Sequence, residues 1–287
     1  MKKEIINKFE LKLEFNKDTE DPSRLFRSFA DLIESINELD ITIAKSINSS
    51  ISSKIYLNDI EKGSLIGKLW NHLVINDENK LDENTVESED INLFIDKSRN
   101  KSIEFLESHK SSVEDLKTLA KDIDNIANEH GIKETFNYAE TNILDLAKKL
   151  NNIGDSISKL NDDEKFVITN SQNEIEEISS GCEKINIEDV EKALTAEEIN
   201  SESTVYYKIK RPDFLGDSQW EFKHGKKSLK VKILDEKWLD DFQNGLVIVV
   251  PGDSLKVKIK QSFNYNKNGY LISEKTEIIN VIEIKKN

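Results

Sequence analysis

The sequence predicts an α+β protein. A β-α-β-α unit is expected over residues 1–77 and an acidic linker over 78–90. A helical middle region with short strands follows over 91–203, and an antiparallel β-barrel or sandwich-like domain over 204–287. Three observations predict this. Apolar and polar residues alternate in 8–16 and again through 204–287, the period of a half-buried strand. Apolar residues recur every three or four positions from 25 to 47 and from 91 to 160, the period of a helix buried along one side. The stretch 76–90, NDENKLDENTVESED, follows neither period and reads as an exposed connection.

The elements follow in order. Phe9, Leu11, Leu13 and Phe15 share one side of the first strand, with Glu10, Lys12 and Glu14 on the other. Asp21-Pro22 then starts a helix, because proline at the first helical position has no needed amide to lose. Its stripe is Leu25, Phe29, Leu32, Ile36, Leu39, Ile43 and Ile47. Ile51, Ile55 and Leu57 predict a second strand ending near Ile60. Ser64 is placed to cap a second helix carrying Leu65, Ile66, Leu69, Trp70 and Leu73. Further on, Ile103, Leu106, Val113, Leu116, Leu119, Ile123 and Ile126 form a helical stripe that stops at Gly131, a C-cap glycine. A second stripe runs from Phe136 to Leu160. Short strands are expected at 165–170 and 174–178, and a helix at 187–199 through Val190, Leu194 and Ile199.

The last segment changes in pattern and in charge. Val205, Tyr207 and Ile209 alternate with polar residues, as do Leu229, Val231 and Ile233, and Leu255, Val257 and Ile259. Pro251-Gly252 and Asn268-Gly269 supply turns, and 237–242 a short helix. Residues 204–287 hold 16 Lys and Arg against 11 Asp and Glu, whereas 1–203 hold 25 against 44, within a total of −14. If the apolar positions point inward, Tyr206, Lys208, Lys210, Lys230, Lys232, Lys256, Lys258 and Lys260 point outward. Such a face attracts phosphate backbones or an acidic protein surface. Lysines also serve to keep edge strands from pairing, and the face has that plainer explanation too.

The remaining chemistry is sparse. One cysteine, Cys182, excludes an internal disulfide framework and a cysteine-based zinc cluster. His72, His109, His130 and His224 stand at no ligand spacing. The turn at Gly63-Ser64 offers a weak anion site at the start of the expected second helix, without the GK[ST] ending of a phosphate loop. Phe214, Trp220, Phe222, Trp238 and Phe242 read as core. No stretch approaches a membrane span and the N-terminus lacks a cleavable leader, which predicts a cytoplasmic protein. The density of Lys, Asn, Ile, Glu and Ser resembles the usage of an AT-rich bacterial genome. Together these features predict a non-enzymatic interaction or scaffold subunit of a bacterial assembly, of a host-defence or mobile-element kind. Its partner would be another subunit or a second copy, with no cofactor and no membrane. The alternative is nucleic-acid binding by the C-terminal lysines.

Overall fold

The computed structural model describes residues 3–16, 19–47, 51–60, 65–75, 88–135, 138–214 and 219–286. They form an α+β protein of two compact units, Met1–Val190 and Glu191–Asn287.

The first unit contains β1 (Lys3–Glu14), α1 (Pro22–Ile47), β2 (Ile51–Ile60), β3 (Leu65–Ile75), α2 (Ser88–Glu107), α3 (Val113–Glu129), α4 (Ile132–Thr135), α5 (Ile143–Ile157), β4 (Lys165–Thr169) and β5 (Ile175–Ser179). The sheet order is β2-β3-β1-β4-β5, antiparallel throughout. Ile5, Phe9, Leu11 and Leu13 of β1 are buried with Leu69 and Leu73 of β3, Phe166 and Ile168 of β4 and Ile178 of β5. The helices pack on that inner face, through the expected stripe of α1 and through Ile91, Phe94, Ile95 and Ile103 of α2. On the opposite face Ile6, Lys8 and Tyr56 are exposed and Trp70 and His72 half-buried.

Residues 65–73 are the main correction. They form a strand where a helix was expected, so the β-α-β-α order becomes β-α-β-β. Leu65, Leu69 and Leu73 lie four apart, and that spacing satisfies the helical period and the strand period alike. Pairing with β1, from Leu13↔Leu65 to Lys3↔Ile75, decides the matter by burying Leu69, Asn71 and Leu73 in alternation. The pairing of β1 with β4 also joins 1–77 and the helical region into one unit. Of the expected linker, 78–87 lies outside the described residues, and Ser88 to Asp90 open α2.

After α6 (Ile187–Leu194) come β6 (Glu197–Arg211), β7 (Trp220–His224), β8 (Lys227–Ile233), α7 (Glu236–Gln243), β9 (Ser254–Tyr265) and β10 (Leu271–Lys285). The five strands close as β10-β8-β7-β6-β9, with β9 pairing β10. The barrel is mixed, not wholly antiparallel: β8 and β10 run parallel. A ring of five strands cannot alternate direction all the way round, so one pairing must be parallel. Tyr207, Ile209, Trp220, Phe222, Val231, Ile233, Leu255, Val257, Ile259 and Ile278 fill the interior. The helix expected to reach Ile199 stops at Leu194, and β6 begins eight residues before Val205.

Candidate functional site

The expected lysine face is built, but it is shared with acids. Tyr206, Lys208 and Lys210 lie on β6, Lys230 and Lys232 on β8, and Lys256, Lys258 and Lys260 on β9. Strand order separates them, because β7 stands between β6 and β8, and β10 between β8 and β9. Acids stand beside most of these lysines, while Lys208 stands opposite Lys223 of β7. Lys258 meets Glu202 of β6 at 2.5 Å and Lys260 meets Glu198 at 3.9 Å. Lys210 meets Glu221 of β7 at 3.2 Å, and Glu221 is also the cross-strand neighbour of Lys230. Glu277 of β10 stands opposite both Lys260 and Lys232. Lys256 lies over the Tyr206 ring, 5.8 Å from its centroid. The barrel therefore wears a girdle of alternating charge and not a cationic track. Of the acids that sequence reasoning missed, Glu198 lies in the stretch read as the end of a helix and Glu202 between that helix and the strand expected at Val205.

Two further features belong to the barrel. Between α7 and β9 the chain turns through 244–247 and continues without regular structure to Val250, with Val249 buried while Leu246, Ile248 and Val250 are 76, 70 and 50% exposed. The segment is anchored by amides of Leu246 and Val247 donating to the Asp241 carbonyl, and by Lys286 donating to the Ile248 carbonyl at 2.6 Å. In addition, β6, β9 and β10 outrun the short β7 and β8. Residues 197–204 of β6 are all exposed.

In the first unit the buried groups form a closed network. The Arg99 guanidinium donates to Asp40 at 2.9 and 2.7 Å, to Asp96 at 2.9 Å and to the Asn7 oxygen at 2.7 Å. Asn71 donates to Asp40, Asn7 to Asp96, and Ser171 to Asp96. Every member but Ser171 is fully buried, which marks a structural keystone and not a site open to substrate. On the face of the sheet away from the helices, β3 places Trp70 and His72 beside Tyr56 of β2. Tyr56 and His72 have ring centroids 4.6 Å apart, Trp70 and His72 6.5 Å, and the Lys8 ammonium sits 4.7 Å over Trp70. That row was hidden by the helical reading of 65–73, since i and i+2 share a face only in a strand.

Other candidates carry less. Gly63 and Ser64 lie outside the described residues, and the helix N-terminus invoked for anion binding is the start of β3. Cys182 is half-buried, and burial together with the Glu107 charge pushes its thiol up to about 11. Among the described residues no group of three His, Cys, Asp or Glu side chains could hold a metal. No described helix is long and apolar enough to cross a membrane. Trp220, Phe222 and Phe242 are core as expected, while Phe214 is 60% exposed. No protein-family model, curated protein or solved structure matches the chain.

Proposed function

We propose that the chain is a non-enzymatic interaction subunit that engages another protein through its barrel. The observation that carries this reading is the group Leu246, Ile248 and Val250, three large apolar side chains held in the open on the anchored connection between α7 and β9. Exposed apolar groups with polar surroundings mark protein contacts. The girdle of paired charge supports the same reading, since alternating charge fixes register with a partner surface but gives little pull on a polyanion. The residue usage supports a bacterial setting, and a host-defence or mobile-element locus is the proposed context. The test is association of the purified chain by light scattering, together with capture of a partner from cell extract. Leu246→Asp with Ile248→Asp should abolish partner capture while shifting stability by less than ~0.5 kcal/mol per site. A strict monomer with no partner contradicts the proposal.

Nucleic-acid binding is the second reading. The observation that favours it is the Tyr56, His72 and Trp70 row with Lys8 on the sheet face away from the helices, a geometry suited to stacking unpaired bases. It would act in place of, or beside, the barrel lysines. Salt-sensitive binding of a single-stranded oligonucleotide should then be lost in Trp70→Ala. Loss instead in the triple variant Lys230→Glu, Lys256→Glu, Lys258→Glu would assign the binding to the barrel. No binding at low salt eliminates both.

A further inference from the structure

From the β6 edge we infer that the barrel pairs with a second copy of itself, β6 against β6, antiparallel about a twofold axis at Ser201. This rests on the interaction reading and names its partner.

On one side β6 is paired with β9 without a break from Glu197↔Tyr265 to Lys208↔Ser254. On its other side it meets β7 only from Lys208 onward. Among the described residues no strand pairs with the outer edge of 197–206. The Ile209 amide donates to the Asp253 carbonyl across the β6–β9 ladder, so odd-numbered residues of β6 direct their backbone groups toward β9. The even-numbered residues Glu198, Asn200, Glu202, Thr204 and Tyr206 direct theirs outward. Five amides and five carbonyls thus form a straight, open template for another strand.

Proteins protect such edges with lysine, proline or a bulge. Residues 197–206 contain no lysine and no proline, and the β6–β9 register shows no bulge there. Asn200, Ser201, Ser203, Thr204, Val205 and Tyr206 leave the central stretch short of charge. Glu198 and Glu202, the acids with outward backbone groups, already face Lys260 and Lys258 of β9.

The charges on this edge restrict the register that a second copy can take. Symmetric pairing must set even residues opposite even residues. Centring on Asn200 would place Glu198 opposite Glu202, and centring on Glu202 would place that glutamate opposite itself. Centring on Ser201 sets Glu198 opposite Thr204 and Asn200 opposite Glu202. It pairs the edge from Glu198 to Thr204 and opposes no like charges, whereas centring on Ser203 would draw in Lys208, which already pairs with Lys223 of β7. The product is a continuous six-stranded sheet, β10-β9-β6 joined to β6-β9-β10 of the second copy.

The test uses the full chain in a Cys182→Ser background. Light scattering should give twice the 33.0 kDa mass of the chain. Ser201→Cys should form an intermolecular disulfide on mild oxidation, because the two copies of residue 201 would face each other as a non-hydrogen-bonded pair. Both Ser201→Lys and Ser201→Glu should weaken the dimer at least tenfold, since either charge meets itself across the axis. A different protein partner would respond oppositely to the two signs. A monomer at up to ~0.1 mM without the disulfide overturns the self-pairing, and so does an oligomer indifferent to both charges. In either of those cases a partner captured through the Leu246 group would leave the interaction reading standing, and its absence would remove that too.

Discussion

Arg99 is fully buried between two carboxylates, with its guanidinium also lying over the Phe9 ring at 4.6 Å. One guanidinium faces two buried carboxyl groups, and burial pushes the Asp40 carboxyl above its ordinary range. Arg99→Met removes the only cation of the network and should cost ~3–5 kcal/mol in urea denaturation; a loss under ~1 kcal/mol would show that the carboxylates find other compensation. Glu164 behaves in the opposite sense. Its side chain is 1% exposed, it accepts two hydrogen bonds from Arg24 at 2.5 and 2.8 Å, and that contact holds its pKa below the ordinary value. Its contribution is therefore complete above the ordinary carboxylate range and is lost as pH falls through the depressed value. Glu164→Gln should remove that acid-side loss, and unchanged acid titration of stability in the variant would contradict the assignment. Cys182, with its thiol pushed up to about 11, should alkylate far more slowly in the native protein than in urea at pH 8. None of the Arg99 network was legible in the sequence. Asp40 sits beside an expected apolar stripe, and its partner is 59 residues away, so only the folded arrangement explains why a charge is tolerated there.

Elements were legible where one period dominated. The α1 stripe, the hairpin turn at Gly269 and the short α7 follow directly from spacing and turn chemistry. Residues 65–73 were not, because leucines four apart fit two periods and the deciding partner, β1, lies over fifty residues upstream. Gly67 on that strand lets Phe29 of α1 approach closely: a Cβ there would sit 3.2 Å from the Phe29 ring. Gly67→Val should cost ~1–3 kcal/mol by overpacking, checked by thermal unfolding, and a neutral result would mean that Phe29 swings away freely. In the barrel, Asp235 joins two elements. One carboxylate oxygen caps α7 through the Trp238 amide at 3.2 Å, and the other accepts from the Val281 amide of β10 at 2.9 Å. Asp235→Ala should cost ~1–3 kcal/mol and loosen β10, which hydrogen exchange at Val281 would detect.

At the scale of the whole molecule, charge is divided less sharply than a cut at residue 204 implies. The first unit, to residue 190, carries 24 Lys and Arg against 40 Asp and Glu, and the second carries 17 against 15. Moving the boundary to 191 brings Glu191, Glu197, Glu198 and Glu202 into the barrel unit, where two of them face Lys258 and Lys260. The difference from the sequence reading is physical. Alternation identifies which residues point outward on a strand, whereas register decides what they meet there. The proposed interaction surface accordingly rests on exposed apolar side chains and an open backbone edge, not on net charge. The most direct measurement is amide hydrogen exchange along β6 as protein concentration is raised. Self-pairing predicts that the even-numbered amides from Glu198 to Thr204 become protected with concentration, while the odd-numbered ones are protected throughout. Even-numbered amides that exchange freely at every concentration would contradict it.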